Sequence, residues 1–409
     1  MNKHLIFKIV SIWFLITQTF PPYDYFIHMK GVITIGTFVF VAIGLFPNLL
    51  SKKSIIALFL YTFAVLLVYI RGNAYYDSIA RVVVPSLTIL SALFITEYTF
   101  RYDMDFKYTK SILITVLITN MMMILISIPQ LAINPNIIRG ASTFGVEGGE
   151  EMVYYWIISY ATIHGLPCLF APLVLLCKKL FPSNKKKMMV YGLITLTLFY
   201  IVYKSNATTA LLMSIMMVFI GLFFNFRKFN LANVLKIILL AASFGMLLSP
   251  TVMVPILGKV QSTLDPSGSN YQKIGEINES LIYGESDGDM GLRQSLYKQS
   301  QELFFAEPLT GTSRSNLISM HTWIWDQLAC MGIVLFSTFI LLMYYHVKRV
   351  LFSLNITKSM YLWGMAAMIA MLYYKNSFGS GTWLYGFAIL PVLCRYVDFI
   401  INDINNKRI

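Results

Sequence analysis

Arginine and acidic residues occur together in the two longest polar stretches of the sequence, residues 132–152 and 251–323, and the second stretch also contains a histidine. A guanidinium group binds phosphate oxygens in pairs, because its planar N–H groups match their spacing. An imidazole titrates near neutral pH, and a carboxylate can act as an acid or a base. These residue types indicate an anionic, phosphate-like ligand and a group for proton transfer. The residues concerned are Arg139, Glu147, Arg293, Arg314 and His321.

Further ionisable residues lie at the ends of apolar segments. Ser319 is placed to cap a helix, which would put His321 in the exposed first turn and Asp326 one turn deeper. An ionisable group inside a membrane span is costly, so Asp326 is either functional or a structural carboxylate satisfied by a neighbouring helix. Cations at segment ends either converge on one cavity or extend to lipid headgroups. They include Arg71, Arg81 and Lys204.

The composition shows what kind of scaffold must position these residues. The chain of 409 residues is 57% hydrophobic and only 12% charged. Soluble proteins have about 25% charged residues, so water is not the main solvent of this chain. Apolar runs long enough for about twelve spans follow one another along the sequence. They fall at 5–20, 31–47, 55–70, 79–97, 111–131, 153–176, 188–203, 208–224, 233–250, 324–345, 359–374 and 383–401.

The connections between these runs alternate in charge, which predicts their sidedness. Short basic connections alternate with connections that are poorer in lysine and arginine. Because basic connections stay in the cytoplasm, both termini are predicted to be cytoplasmic. The net charge of +13 is then mostly a topology signal and does not indicate nucleic acid. The sequence predicts an all-α, polytopic membrane protein with one membrane domain over residues 1–409.

The two long stretches lie on the outer side, and both are longer than a connection between two spans requires. Residues 132–152 form one outer loop, and residues 251–323 form a large outer loop between spans 9 and 10. Within the second loop, apolar residues recur at helical spacing and predict an amphipathic helix at the membrane surface. Asp287 or Asp289 would cap its start, and Pro308 with Gly311 would close its end.

Several common motifs are absent from the sequence. No G-x-x-x-x-G-K-[ST] motif is present, so a P-loop for nucleotide is excluded. The four cysteines form no C-x-x-C pair, and they indicate neither a zinc site nor a disulfide framework. The triplets Asp103-Met104-Asp105 and Asp287-Gly288-Asp289 are weak metal signals. No metal or other cofactor is predicted.

The region from Arg293 to Gly332 carries a familiar order of features. An arginine-bearing amphipathic helix precedes the turn Pro308-Leu309-Thr310-Gly311-Thr312, then His321 opens a span, and Met331-Gly332 lies inside it. This order resembles the bacterial O-antigen polymerase and ligase superfamily, the Wzy-type polymerases and WaaL-type ligases. The chain departs from that pattern in two places. Thr312 stands where a second glycine is common, and the hairpin Ser205-Asn206-Ala207-Thr208 lacks the family's arginine.

The resemblance implies a metal-independent glycosyltransferase of the GT-C type. Its donor would be an oligosaccharide on undecaprenyl diphosphate, since no nucleotide sugar is present outside the membrane. Preorganised cations would stabilise the leaving diphosphate. Arg293, Arg139 and Arg314 are assigned to the diphosphate, Lys204, Arg71 and Arg81 to further phosphate contacts, and His321 to the acceptor hydroxyl. Asp326 and Glu147 are the alternative acid–base groups.

The preferred function is therefore a polymerase of O-antigen, capsule or exopolysaccharide in a bacterial inner (plasma) membrane. Its expected partners are membrane lipids, a flippase and a co-polymerase that regulates chain length. A ligase that moves finished glycan onto a final acceptor shares the donor chemistry and remains an alternative. A polysaccharide flippase or transporter is the alternative from another class, although such folds usually show internal repeats.

Overall fold

All regular structure in the described part of the chain is helical. The structure is a computed structural model that describes residues 2–20, 22, 31–73, 76, 78–133, 158–205, 207–223, 250–263, 266, 269–283, 289–312, 314, 317–319, 321–374 and 380–406. The first nine helices are α1 (Lys3–Thr19), α2 (Gly31–Leu45), α3 (Lys52–Ile70), α4 (Ile79–Tyr102), α5 (Lys107–Ile133), α6 (Tyr160–Gly165), α7 (Pro167–Leu180), α8 (Lys185–Lys204) and α9 (Thr208–Phe223). The remaining ones are α10 (Pro250–Gln261), α11 (Ser269–Tyr283), α12 (Asp289–Ala306), α13 (Trp323–Ser353), α14 (Lys358–Tyr374), α15 (Ser380–Leu384) and α16 (Leu390–Asn406), with a π-helical turn at Tyr385–Ile389 between the last two.

Several of these helices are long and apolar enough to cross a membrane. Within the described residues, six helical segments satisfy this condition: α3, α4, α5 (over Lys107–Leu131), α8, α13 and the segment Gly381–Asn406. Side chains such as Phe40, Phe59 and Leu125 point outward from the bundle, and an outer surface of this kind is compatible with hydrocarbon and not with water. The protein is a polytopic membrane protein, as the composition predicted. The ninth predicted apolar run, 233–250, lies almost wholly outside the described residues.

Helix α7 occupies the centre of the bundle. Most of its side chains are buried, and it packs against α8, α9, α14 and α16. Helix α13 packs along α3 over much of its length, and it also contacts α12 and α14. This arrangement places the amphipathic helix α12 beside the first half of α13. The chain between α12 and α13 must therefore fold back over the start of α13.

Buried carboxylates organise the end of the bundle that carries the connections 46–51, 103–106, 181–184 and 354–357, which we call the basic end. Asp103 accepts hydrogen bonds from the backbone N–H groups of Tyr108 and Thr109, at 3.0 and 2.7 Å. Asp398 accepts three more, from the backbone N–H groups of residues 355–357. Asp103 thus satisfies free N–H groups in the first turn of α5, and Asp398 satisfies those of the connection that leads into α14. The role of Asp103, the first residue of the triplet Asp103-Met104-Asp105, is therefore to cap α5.

Candidate functional site

Helix α13 is interrupted at Gly332. The backbone of Gly332 has φ 63° and ψ 175°, so residues 323–331 and 333–353 form two helical segments. A break inside a membrane helix leaves backbone groups without helical partners, and in hydrocarbon these groups must find partners in the protein. At this position the turn formed by residues 308–312 supplies them.

Backbone groups of the turn complete the hydrogen bonding of the broken helix. The carbonyl of Pro308 accepts from the N–H of Ile333 at 2.8 Å, and the N–H of Thr312 donates to the carbonyl of Ala329 at 2.7 Å. Gly311, with φ 76°, lies against Gly332. The turn is thus seated in the break of α13. We call this end of the bundle, with Gly311 and Gly332, the glycine end.

A buried carboxylate ties the loop before α13 to α12. Asp326 is fully buried, and its Oδ1 accepts hydrogen bonds from the hydroxyl groups of Ser300, at 2.7 Å, and Ser319, at 2.9 Å. Its Oδ2 accepts from the backbone N–H of Thr322 at 3.2 Å. Ser300 belongs to α12, so one carboxylate joins three segments of chain. These contacts favour the structural interpretation of Asp326 over a catalytic one.

The cap of α13 differs from the prediction. Thr322 caps the helix, because its Oγ1 accepts from the backbone N–H of Trp325 at 3.1 Å. The prediction that Ser319 is the cap was wrong, since its hydroxyl is used by Asp326. His321 consequently precedes the helix and does not lie in its first turn. It is exposed, and its backbone N–H donates to Ser319 Oγ at 3.3 Å.

The amphipathic helix predicted in the second long stretch is present as α12. Its Leu303 is buried, and the rings of Phe304 and Phe305 contact Trp325 on α13. The hydroxyl of Tyr297 donates to the carbonyl of Tyr374, at the end of α14, at 3.0 Å. The backbone of Arg293 lies in α12, one turn before Tyr297. The side chain of Arg293 is outside the described residues.

Two predicted cations lie at the connection between α3 and α4. Arg71 ends α3, and its Nη1 donates to the carbonyl of Thr310 in the seated turn, at 2.9 Å. Arg81, in the first turn of α4, lines a small cavity of about 10 Å³, which is room for a single water molecule. The other walls of this cavity include the rings of Tyr61, Trp323 and Trp383.

The connection between α3 and α4 is also fastened to α13 by uncharged groups. The hydroxyl of Tyr76 donates to Oε1 of Gln327 at 2.5 Å, and the thiol of Cys330 lies 3.7 Å from Oδ1 of Asn73. Burial raises the pKa of the Tyr76 hydroxyl well above its usual value, so Tyr76 is a neutral donor. Sequence reasoning missed Asn73, Tyr76 and Gln327. One signal in the sequence could have pointed to this contact: Gln327 is a polar residue inside an apolar segment.

The structure brings together some of the predicted site residues and separates others. Arg71, Arg81, Arg314 and His321 all lie on segments that meet at the start of α13. Arg314 is exposed, two residues after Thr312, and its backbone N–H donates to the Thr312 hydroxyl at 2.9 Å. Lys204 is at the end of α8, where its Nζ lies 5.8 and 5.9 Å from the ring centroids of two tyrosines of the same helix. Arg139 and Glu147 lie outside the described residues.

The glycine end therefore combines exposed cations, an exposed imidazole and buried aromatic rings. Contacts with α12, with the turn 308–312 and with the connection between α3 and α4 hold the start of α13 in place. Among the residues that the structure describes, no three histidine, cysteine, aspartate or glutamate side chains are placed to share a metal ion. The arrangement can bind an anion and can accept a proton from a hydroxyl group beside it. The sequence matches no known protein family, and a search of characterised proteins finds no relative.

Proposed function

We propose that the protein is a polysaccharide polymerase with about twelve spans, a GT-C-like fold and both termini in the cytoplasm. It transfers an undecaprenyl-diphosphate-linked glycan onto a lipid-linked repeat unit at the outer face of the bacterial inner (plasma) membrane. The observation that carries this proposal is the turn 308–312 seated in the break of α13. This turn joins Arg71 to the segment that carries Arg314 and His321.

The proposed reaction is a displacement at the anomeric carbon of the donor sugar. A hydroxyl oxygen of the acceptor forms a bond to that carbon while the bond from the carbon to the diphosphate oxygen breaks. The diphosphate leaves with the bonding electrons, and the hydroxyl proton passes to His321. Cations that are already in place stabilise the charge that develops on the diphosphate. Arg293, Arg314 and Arg139 serve as these cations, with Arg81 and Lys204 as further phosphate contacts.

The burial of the two candidate acid–base groups on the described segments favours His321 over Asp326 for proton transfer. His321 is exposed, so a substrate hydroxyl can reach its ring. Asp326 is fully buried and accepts hydrogen bonds on both carboxylate oxygens. We therefore assign proton transfer to His321 and a structural role to Asp326. Arg71 acts as a positioning residue through Thr310, and Glu147 is kept as a second acid–base candidate.

A complementation experiment tests this proposal. A strain that lacks the protein is rescued with the wild type, with His321→Ala, with Arg314→Ala or with Lys298→Ala, and surface glycan is separated on a gel. Lys298 is an exposed cation on α12 that supplies a matched control. We expect a full ladder from the wild type and Lys298→Ala. We expect a single repeat unit from His321→Ala and Arg314→Ala at equal protein level.

Other outcomes of this experiment contradict the proposal in different ways. Wild-type chain lengths from His321→Ala would remove this residue from the mechanism. Full-length chains that accumulate on the lipid carrier in the deletion strain, with none on the final acceptor, would identify a ligase. An unchanged ladder in the deletion strain would leave the transporter as the better interpretation.

A further inference from the structure

A long apolar groove runs along the bundle away from the glycine end. It has a volume of about 310 Å³ and lies between α5 and α8, with α7 and α16 behind it. Leu113 and Leu117 of α5 form one side, and Ile194 and Leu198 of α8 form the other. A groove of this size and composition is in the range that binds hydrophobic ligands. None of its lining residues takes part in the site described above.

Hydrogen bonds made by lining residues mark the two ends of the groove. At the end toward the glycine end, Oδ1 of the lining residue Asn120 accepts from the hydroxyl of Tyr385 at 2.8 Å. At the end toward the basic end, the hydroxyls of Tyr191 and Tyr396 are 2.8 Å apart, and Lys110 completes the wall. Lys110 and Asn120 are ten residues apart on α5, which corresponds to about 15 Å. This length equals half of the roughly 30 Å hydrocarbon core, so the groove spans one leaflet.

The groove is positively charged where it meets the basic end. Lys110 is exposed, and its Nζ lies 5.8 Å from the ring centroid of Phe399 on α16. Lys185, Lys186 and Lys187 are exposed in the first turn of α8. Helices α5 and α8 both begin at this end, so the positive ends of two helix dipoles point toward it. A ligand with an apolar chain and an anionic head matches both parts of the groove.

We propose that this groove binds one anionic phospholipid of the leaflet at the basic end. One acyl chain lies between α5 and α8, and the phosphate is met by the Lys110 ammonium. A zwitterionic lipid carries the same chain but presents no net charge to the lysines, so it binds less tightly. The bound lipid fills the space between α8 and the rest of the bundle, and it contributes to the position of α8. This proposal does not depend on the reaction at the glycine end.

The test uses the full chain in nanodiscs that contain equal amounts of phosphatidylglycerol and phosphatidylcholine. The protein is extracted into mild detergent, and retained lipids are identified by native mass spectrometry. Leu117→Trp fills the groove, and Ile118→Trp is its matched control, because Ile118 is 52% exposed on the adjoining face of α5. Lys110→Gln removes the charge, and Lys358→Gln is its control at the start of α14. Leu113→Trp replaces Leu117→Trp if the latter does not fold.

We expect one phosphatidylglycerol molecule on the wild type, on Ile118→Trp and on Lys358→Gln, and none on Leu117→Trp. Lys110→Gln should reduce the preference for phosphatidylglycerol by about fivefold, the ratio expected for one lysine at an anionic surface. Equal retention by Leu117→Trp and Ile118→Trp would overturn the proposal. Equal retention of the two phospholipids by the wild type, or a prenyl phosphate as the retained lipid in material from cells, would also overturn it.

Discussion

Gly311 and Gly332 lie face to face, and neither position has room for a side chain. A methyl group on Gly311 would lie 2.7 Å from the amide nitrogen of Gly332, and a methyl group on Gly332 would lie 2.6 Å from the amide nitrogen of Gly311. Both residues also have positive φ angles, 76° and 63°. The two backbones can approach this closely only because both residues are glycine. The seated turn, and with it the position of His321, depends on this pair.

Alanine at either glycine should therefore destabilise the protein. The positive φ alone costs about 1–2 kcal/mol, and overlap with backbone atoms adds to this. We expect Gly311→Ala and Gly332→Ala each to lower the free energy of unfolding by about 2 kcal/mol or more. Denaturant unfolding in detergent would measure it. Gly192→Ala in α8 is the control, because a methyl group there meets nothing within 4 Å. A similar loss in all three variants would contradict the prediction.

The two serines that donate to Asp326 should show coupled effects. Ser300 and Ser319 both donate to Oδ1 of Asp326, and their two hydroxyl oxygens lie 2.9 Å apart. Each change to alanine should cost about 1.5–3 kcal/mol, as expected for hydrogen bonds to a charged group. The double variant should differ from the sum of the single variants by at least about 0.5 kcal/mol. Additive unfolding free energies would show that the serines act independently.

Asp326→Asn separates the structural role of this residue from an acid–base role. Asparagine keeps an oxygen that can accept from Ser300 and Ser319, but its amide group opposes the backbone N–H of Thr322. We expect the stability to fall by about 1–3 kcal/mol and the glycan ladder to persist at reduced yield. Loss of the ladder in a variant that remains as stable as the wild type would instead assign proton transfer to Asp326.

The ion pairs of Glu97 should contribute far more than the exposed pair on α12. Glu97 is buried and lies 3.2 Å from Arg101 and 2.8 Å from Arg349, whereas Glu302 is exposed and 4.0 Å from Lys298. Glu97→Gln leaves two arginine side chains that are 36% and 32% exposed and can reach solvent, so the loss should be smaller than the about 3–5 kcal/mol of a fully buried pair. We expect a loss of about 1–3 kcal/mol for Glu97→Gln and a change within about 0.5 kcal/mol for Glu302→Gln. Equal midpoints of unfolding would contradict this ranking.

Much of the helical framework could be predicted because apolarity and helical periodicity are local properties of the chain. Outside the 233–250 run, each predicted apolar run overlaps a helix in the described residues. The helix in the second long stretch was predicted from apolar spacing and from Pro308 and Gly311, and α12 confirms that this segment is helical. Helices α10 and α11 were not predicted. Helix α10 has only 12 residues, α11 is more polar than the spans, and the turn residues near Pro266 between them indicated a loop.

The roles of individual residues were decided by tertiary structure. Gly311 and Gly332 were recognised as a pattern, but their contact exists only because the turn closes back onto α13. Tyr76 and Gln327 are joined by a hydrogen bond across 251 positions of sequence, and no local signal predicts such a pair. The functions of Asp326 and Ser319 depend in the same way on Ser300 in another helix. The free energy of transfer from water into hydrocarbon depends on each side chain by itself. The sequence alone therefore determined that this chain is a membrane protein. Which polar groups meet depends on how the helices pack, and only the tertiary structure decided it.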